Sequence, residues 1–350
     1  MKAAVLYVPK DVRIEEIEKP EVEHKGEIII RVKACGICGS DLHLYNYGLF
    51  RNVGKPHNSG FLMGHEFSGD VVEIGGTIDG VKVGDRVVAL AQGAQAEYIK
   101  ITRCRSWGVL PIPPHISYEE AATTEPLATS LHAVNLALRS QAREHWLLQE
   151  PDDRETRETA VVFGAGIIGL GVLQILKSTT NYRCVVIDLS KRRLDMAKRL
   201  GADMTINARK DDPIEKMKEL TGTIELRYAS ASSSRVDAVF DCVGAPLESE
   251  GIPPLQQAIT IVKPNGEIVV VALFEKPLEI ELTDIVAKNV SLYGALEWSR
   301  NEFVQAFELI CSGKIDRRPL ITHEFLLDNA AEAYKTQANT NEAVKIMIKP

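Results

Sequence analysis

The sequence predicts an α/β protein of two domains, one rich in β-strands and one built on a doubly wound parallel sheet. Its 350 residues are enough for about two domains of ordinary size. Short segments rich in β-branched residues recur before residue 100, as in a small barrel. Apolar runs of strand length then alternate with helical patterns, which is typical of a parallel sheet covered on both faces.

Composition and charge exclude several classes of protein. The chain is 45% hydrophobic and 25% charged, the usual balance of a soluble globular protein. Its formal net charge of −7 argues against a nucleic acid or an anionic membrane as the main partner. No apolar run approaches the roughly 18 residues of a membrane span, and Pro9 comes too early for a secretory leader. Six cysteines are too sparse for a disulfide scaffold, so we expect a cytoplasmic protein with free thiols.

The first part of the chain changes from strands to helices near residue 117. Strands are expected at residues 26–34 and 66–74, each bounded by turn formers. Residues 117–138 are rich in Ala and Leu, and Pro126 is expected to break this stretch into two helices. Residues 140–158 are dense in charge, which is typical of a solvated linker.

The second part alternates between the two kinds of element. Its expected strands are residues 159–163, 184–188, 236–242 and 266–273, and its expected helices are residues 167–178 and 190–200. Between the first strand and the first helix lies the motif Gly164-Ala165-Gly166-Ile167-Ile168-Gly169. In a G-x-G-x-x-G turn the first glycine permits the tight turn, the second lets a pyrophosphate approach, and the third allows close helix–strand packing. The helix that follows would present free N–H groups to the phosphates.

An acidic residue supports the dinucleotide interpretation over a glycine-rich turn without a ligand. Asp188 ends the next strand about twenty residues beyond the motif, where a carboxylate binds the ribose hydroxyls. Because a carboxylate would repel a 2′-phosphate, NAD is favoured over NADP. Lys191 and Arg192 fit a solvated helix start, and Arg193 is the best candidate for stacking near the adenine.

A second group of residues has side chains suited to metal binding and proton transfer. The CxxC of Cys35 and Cys38 has no second CxxC, so a four-cysteine zinc knuckle is excluded. A redox pair stays an alternative, although the βαβ setting of such pairs is missing. The other members follow at intervals along the chain: Ser40, Asp41, His43, His65, Glu66 and Glu125.

These motifs together resemble one enzyme family. KACGICGSDLH, GHEFSG, GDRV, AEY, EPL and GAGIIG, in this order, are similar to the zinc-dependent medium-chain alcohol and polyol dehydrogenases, in the branch of sorbitol, threonine and 2,3-butanediol dehydrogenases. The resemblance implies a Rossmann doubly wound domain at residues 133–291 and a β-rich GroES-like catalytic domain at residues 1–132 and 292–350. It also implies hydride transfer between NAD(H) and a secondary alcohol, vicinal diol or polyol, or its ketone.

The resemblance assigns roles to residues at matching positions. Cys38 and His65 would be ligands of one catalytic zinc, with Glu66 and Glu125 sharing the remaining coordination as alternates. Ser40 would take the alcohol proton and pass it, through the ribose hydroxyl, to His43. The residues expected near the nicotinamide lie at strand ends: Val243, Gly244, Val271 and Leu273.

Three features depart from the family pattern. Between GDRV and AEY there is no cysteine, so we expect no structural zinc. The charged segment at residues 140–158 is longer than the usual link into the nucleotide domain. Glu297 stands in a region where polyol dehydrogenases often place an arginine, which argues against a sorbitol-like substrate.

Three alternatives to a diol or polyol dehydrogenase stay open. They are a tailoring dehydrogenase for a bulkier alcohol or ketone, a metal-free quinone or enoyl reductase of the same superfamily, and a non-catalytic NAD-binding protein. In each case we expect a small-molecule ligand and no nucleic acid or membrane partner. The apolar residues 285–296 resemble the family's dimer-forming edge, so a homodimer or homotetramer is expected.

Overall fold

The computed structural model describes residues 1–102, 108–139, 157–226, 228–229, 232–339, 341 and 343–350. Their strands are β1 (Lys2–Leu6), β2 (Val12–Glu16), β3 (Ile28–Gly36), β4 (Lys55–His57), β5 (Gly60–Leu62), β6 (Glu66–Ile74), β7 (Arg86–Leu90), β8 (Tyr98–Ile101), β9 (Leu110–Pro111), β10 (Thr159–Phe163), β11 (Arg183–Asp188), β12 (Met204–Asn207), β13 (Thr223–Ile224), β14 (Ser233–Ser234), β15 (Val236–Asp241), β16 (Val262–Val270), β17 (Ser291–Gly294), β18 (Ile321–Leu326) and β19 (Lys345–Lys349). Their α-helices are α1 (Gly39–Tyr47), α2 (Tyr118–Ala122), α3 (Thr124–Leu138), α4 (Ile167–Thr179), α5 (Lys191–Arg199), α6 (Pro213–Thr221), α7 (Pro254–Ile261), α8 (Thr283–Ala287), α9 (Arg300–Cys311) and α10 (Ala330–Ala338). Short 3-10 helices lie at Arg51–Val53, Arg318–Leu320 and Leu327–Asn329.

The chain divides into two compact units. Unit 1 comprises residues 1–128 and 299–350, and unit 2 comprises residues 129–298. The sequence-based boundaries, at residues 132 and 292, fall a few residues inside unit 2. Unit 1 is therefore made from both ends of the chain, with unit 2 inserted between them.

Unit 1 is built on two sheets whose strands pair antiparallel, except for the parallel pair of β18 and β19. Its larger sheet has the strand order β18-β19-β3-β6-β7-β9, with β8 also paired to β3. Its smaller sheet has the order β2-β1-β5-β4. Alternate residues of β3 and β6, including Ile28, Ile30 and Phe67, are fully buried in one apolar cluster. The β-rich first domain predicted from the sequence is confirmed.

Unit 2 is built on a six-stranded sheet with the order β12-β11-β10-β15-β16-β17, in which all neighbouring strands run parallel. Its central strands are buried on both faces, which explains their near-continuous apolar sequence. Chain order reverses between β10 and β15, the place where a doubly wound sheet opens a crevice for ligands. The prediction of a doubly wound parallel sheet is confirmed.

The helix break predicted at Pro126 is wrong in position. The structure does contain two helices, but α2 ends at Ala122 and α3 begins at Thr124. Pro126 lies in the first turn of α3, where a backbone N–H has no intrahelical partner to lose. The break occurs at Thr123, whose hydroxyl donates to the carbonyl of Glu120.

Two sequence-based expectations fall wholly or mainly outside the described residues. Cys104 lies in one gap, and residues 140–156 of the charged linker lie in another. Within the described part of the chain, every helix is too short or too polar to cross a bilayer.

Candidate metal centre and nucleotide site

A thiol, an imidazole and a carboxylate come together in unit 1. The donor atoms of Cys38, His65 and Glu66 all lie within 4.8 Å of one another, the one such group of three or more among the described residues. The pairing of β3 with β6 brings them together, because it sets Gly36 opposite Glu66 while Cys38 follows β3 and His65 precedes β6. Sulfur, nitrogen and oxygen donors of this kind suit Zn²⁺, so the residues present fit the ion that the sequence predicts. We call these three residues the donor group.

Close packing leaves room for the donor group only because residue 36 is a glycine. A Cβ at Gly36 would lie 2.2 Å from Oε2 of Glu66. Glu66 is fully buried, so its carboxylate has no free space to move into. Gly36, the first glycine of the CGICG sequence, therefore leaves the space that the carboxylate occupies.

A glycine-rich turn joins β10 to α4 in unit 2. Gly164 has φ of 91°, a left-handed conformation that favours glycine, and Gly166 is the N-cap of α4. A Cβ at Gly169 would lie 1.8 Å from the carbonyl oxygen of Gly164, so helix and turn are in direct backbone contact there. Ile167 and Ile168 form the first turn of α4, whose free N–H groups suit an anionic ligand.

Asp188 ties this turn to the neighbouring strand. One carboxylate oxygen accepts the N–H of Ala165 at 2.7 Å, and the other accepts the N–H of Ser190 at 2.7 Å. The carboxylate is thereby fixed at the end of β11, beside the glycine-rich turn. A carboxylate at this place has the geometry expected of a ribose-binding group.

Comparison with known proteins identifies the family. Residues 24–126 match the alcohol dehydrogenase GroES-like domain, and residues 168–312 match the zinc-binding dehydrogenase domain. The (R,R)-butanediol dehydrogenase of Bacillus subtilis strain 168 is 32% identical, with 100% of each chain covered. The chain belongs to the zinc-dependent medium-chain alcohol dehydrogenase family.

Further relatives agree with this assignment. The sorbitol dehydrogenase of Bacillus subtilis strain 168 is 30% identical over 100% of this chain and 97% of its own. The crystal structure of 2R,3R-butanediol dehydrogenase from Bacillus subtilis has a TM-score of 0.80 at 31% identity, covering 100% of this chain and 99% of that one. The predicted family and fold class are confirmed, and zinc dependence and NAD(P) binding belong to the family.

This member of the zinc dehydrogenases places a further buried carboxylate, that of Asp41, near His65; the sequence analysis grouped Asp41 with the site but gave it no role. Oδ2 of Asp41 accepts the N–H of Cys38 at 3.0 Å, and Oδ1 lies 3.9 Å from Nδ1 of His65. Burial raises the pKa of the Asp41 carboxyl. At this distance Asp41 acts on the imidazole through its charge rather than through a hydrogen bond. The signal in the sequence is the position of Asp41, three residues into the helix that Cys38 caps.

The histidine in turn responds to the charges around it. Burial by itself lowers the pKa of His65, but the negative charges of Cys38 and Asp41 outweigh that effect, so the pKa is raised well above its usual range. The charge of Glu125 acts in the same direction. The negative charges of Cys38, Asp41 and Glu125 therefore favour a positive charge at the position of the imidazole.

Two buried cations also lie at the donor group, and sequence reasoning missed both. Nζ of Lys345 is 2.9 Å from Oε1 and 2.6 Å from Oε2 of Glu66. Burial by itself lowers the pKa of Lys345, but the charges of Glu66 and Cys38 outweigh it and the pKa is raised. Arg317 is fully buried as well, and burial lowers its pKa to about 9 against the opposing charge of Glu66.

The remaining predicted site residues of unit 1 lie on helices α1 and α3 and are not members of the donor group. Glu125 lies half-buried in the first turn of α3 and is outside the donor group, although its charge acts on His65. Ser40 and His43 are both half-buried on α1, three residues apart and so on one face of the helix. The ring of His43 meets the ring of Phe50 edge-on at 5.3 Å between centroids.

The predicted residues at the strand ends of unit 2 form two loops in close contact. Oδ1 of the buried Asp241 accepts the N–H groups of Val243 and Gly244, each at 3.0 Å. Val271 donates its N–H to the carbonyl of Asp241, and a Cβ at Gly244 would lie 2.4 Å from the carbonyl oxygen of Leu273. Asp241, which sequence reasoning took only as part of a buried strand, therefore shapes both loops.

Arg193 takes a position close to the glycine-rich turn. Its Nη1 lies 3.9 Å from the place where a Cβ of Gly166 would be. Burial lowers the pKa of the guanidinium, while the charge of Asp188 opposes that effect. The guanidinium thus lies against the turn, and its stacking near an adenine stays a prediction.

Proposed function

We propose that this protein is a zinc-dependent dehydrogenase that uses NAD to interconvert a secondary alcohol, vicinal diol or polyol and its ketone. The single observation that carries the proposal is the donor group of Cys38, His65 and Glu66. A metal-free quinone or enoyl reductase has no use for a thiol, an imidazole and a buried carboxylate at this spacing. A non-catalytic NAD-binding protein has no use for them either.

One ion per chain is part of the proposal. Residues 91–97 are all that separate β7 from β8, and they contain no cysteine. That short connection supports a single catalytic zinc and no structural zinc. The proposed functional division is residues 1–132 with 292–350 for catalysis and residues 133–291 for the nucleotide.

The chain supplies both metal ligands and a path for the proton. A bound zinc ion supplies Lewis acidity that stabilises an alkoxide, and a bound NAD supplies the hydride acceptor. Cys38 and His65 hold the ion, with Glu66 and Glu125 as alternate carboxylates. The Ser40 hydroxyl takes the alcohol proton, and His43, one turn further along α1, passes it to solvent. Phe50 supports the imidazole ring of His43 from one side.

The cofactor preference is supported by Asp188. Its fixed carboxylate at the end of β11 binds ribose hydroxyls and repels a 2′-phosphate, so NAD is preferred to NADP. Gly164, Gly166 and Gly169 shape the pyrophosphate turn, and Val243 and Leu273 contribute to the nicotinamide side.

The proposed partners are a small-molecule alcohol or ketone and a second copy of the chain. β17 is an edge strand of the six-stranded sheet. Leu292 is 45% exposed and Leu296, just beyond the strand, is 73% exposed, so an apolar strip lines this edge. An unpaired apolar edge is suited to pairing with another strand, which supports a homodimer or homotetramer. A cytoplasmic location follows from the free thiols.

The test combines metal analysis with turnover on a panel of vicinal diols, polyols, secondary alcohols and bulkier ketones, each with NAD and NADP. We expect one zinc per wild-type chain, loss of zinc and turnover in His65→Ala, and full zinc in Ser40→Ala with turnover slowed by about 10²–10⁴-fold. Full turnover in a zinc-free His65→Ala protein would refute the proposal. Glu297 predicts poor turnover of sorbitol relative to a short vicinal diol.

A further inference from the structure

The ammonium group of Lys345 bonds to both carboxylate oxygens of Glu66 and to one backbone carbonyl. An ammonium group has three N–H donors. The Lys345 group directs them to the two oxygens of Glu66, at 2.9 and 2.6 Å, and to the carbonyl of Ile37, at 2.7 Å. Lys345 and Glu66 are both fully buried, so water does not compete for these bonds.

The pair lies directly on the metal donors. Glu66 belongs to the donor group, and Ile37, which anchors the ammonium, precedes the donor Cys38. Both carboxylate oxygens of Glu66 are therefore within bonding distance of a cation that the protein itself supplies. A divalent ion at the donor group would compete with Lys345 for the same carboxylate.

The energetic consequence differs between the metal-free and metal-loaded protein. A buried carboxylate without a counter-charge is strongly destabilising. In the metal-loaded protein the ion can supply that counter-charge, whereas in the metal-free protein Lys345, bonded to both oxygens of Glu66, and the buried Arg317 supply it. Lys345 therefore stabilises the metal-free pocket more than the loaded one.

We propose that Lys345 is an internal counter-ion of the metal pocket, which holds the Glu66 carboxylate in place without metal and lowers the affinity of the pocket for zinc. It is a positioning residue, since it acts through Glu66. The inference rests on the proposed function only in that the ion is the catalytic zinc. As a consequence, Glu66 can bind and release the zinc ion readily, because Lys345 is always present to pair with the carboxylate.

The experiment compares zinc-loaded and metal-free full-length protein for wild type, Lys345→Met and Lys345→Arg. The measurements are the Tm of each form and the zinc Kd from competition with a chromogenic chelator. In Lys345→Met we expect the metal-free form to lose more stability than the loaded form, and the zinc Kd to fall by about tenfold or more. Lys345→Arg keeps the positive charge, so the difference in Tm between its zinc-loaded and metal-free forms should equal that of wild type.

Lys288 offers a matched control in unit 2. It is also fully buried, and its Nζ donates to the carbonyls of Ile259 and Thr260 at 2.7 and 2.9 Å. Lys288→Met should lower the Tm of both forms equally and leave the zinc Kd unchanged. If Lys345→Met does not fold, Lys345→Gln removes the charge but keeps a donor to Glu66, and the same direction of change is expected.

The outcomes separate this inference from the proposed function. Equal loss of stability in both forms of Lys345→Met, or of Lys345→Gln, would make Lys345 a structural residue and overturn the inference. A weaker zinc Kd in either variant would overturn it too, and in both cases the wild type would still bind zinc and turn over. A wild type that binds no zinc would overturn the proposed function and the inference together.

Discussion

Replacing Gly169 by alanine tests the packing of α4 on the glycine-rich turn. The added Cβ would lie 1.8 Å from the carbonyl oxygen of Gly164, 3.0 Å from its carbonyl carbon and 3.1 Å from Cγ1 of Val162. A carbon and a carbonyl oxygen approach each other to about 3.3 Å at closest. Since the nearest atoms belong to the backbone, they cannot rotate away, and the helix must move from the turn by about 1.5 Å.

The expected loss of stability follows from that displacement. Overpacking a close-packed region costs about 1–3 kcal/mol, and a backbone clash belongs at the upper end. For a unit the size of residues 129–298, about 3 kcal/mol corresponds to a fall in Tm of about 6–12 °C. We expect this fall by calorimetry, together with weaker NAD binding.

Gly166→Ala is the matched control, since the nearest atom to its added Cβ is Nη1 of Arg193 at 3.9 Å. The Tm of the variant should lie within about 2 °C of wild type, which corresponds to at most about 1 kcal/mol for a unit of this size. Its methyl group would nevertheless occupy the space through which a pyrophosphate approaches the backbone, so calorimetric titration should show NAD binding weakened by about tenfold or more. A Gly169→Ala protein with the wild-type Tm, or a Gly166→Ala protein with wild-type NAD affinity, would refute the reasoning.

Three further predictions follow from individual carboxylates. Asp41→Asn removes the charge that faces His65, and chelator competition should show zinc affinity reduced by about 10–100-fold; an unchanged affinity would contradict the role of Asp41. Asp188→Asn keeps an acceptor oxygen but not the charge, so the ratio of kcat/KM for NADP to that for NAD should rise by about tenfold, and a constant ratio would argue against 2′-phosphate repulsion. Asp203 accepts the N–H of Cys184 at 2.8 Å, and its pKa is lowered because its hydrogen bonds outweigh the effect of burial. The ionised carboxylate therefore stabilises the folded protein at pH values above its unfolded pKa of about 3.9. That stabilisation is lost as the pH falls through the folded pKa. Asp203→Asn should therefore cost about 1–2 kcal/mol in urea unfolding at pH 7 and much less near pH 3, whereas an equal cost at both pH values would refute this.

The donor group could be predicted because its members lie close to strand ends with recognisable local sequence. Cys38 follows β3 and His65 precedes β6, two strands that their β-branched residues and flanking turn formers predict. The glycine-rich turn was predictable for the same reason, since the glycines are next to the strand and helix that they join. In both cases the site residues are next to a strand or a helix that can be predicted from the local sequence.

Lys345 could not be predicted because its partner is 279 residues away along the chain. The sequence KIMIK is typical of an apolar strand with a lysine at each end. Lysines at strand ends are normally exposed. Only the pairing of β19 with β3, at Met347 with Gly36 and Ile348 with Cys35, buries Lys345 beside Glu66. Asp241 was missed for a related reason, because a carboxylate ending an apolar strand gives no sign of the loop it organises.

The error at Pro126 shows a limit of residue propensities. Proline was interpreted as a helix breaker, whereas its position within the first turn of α3 decides its effect. The actual break is at Thr123, whose hydroxyl bonds to the carbonyl of Glu120, and the residue pattern gave no weight to that contact.

The insertion of unit 2 within unit 1 has a consequence for biosynthesis. Residues 129–298 leave the ribosome before β18, β19 and α10 exist, so the nucleotide-binding unit can fold while unit 1 is still incomplete. During that interval the apolar cluster around Leu44 lacks Tyr334, Ile346 and Ile348 and stays open to solvent. The nascent chain is therefore most in need of chaperone protection late in translation, and Glu66 gains its contact with Lys345 only once β19 has been made.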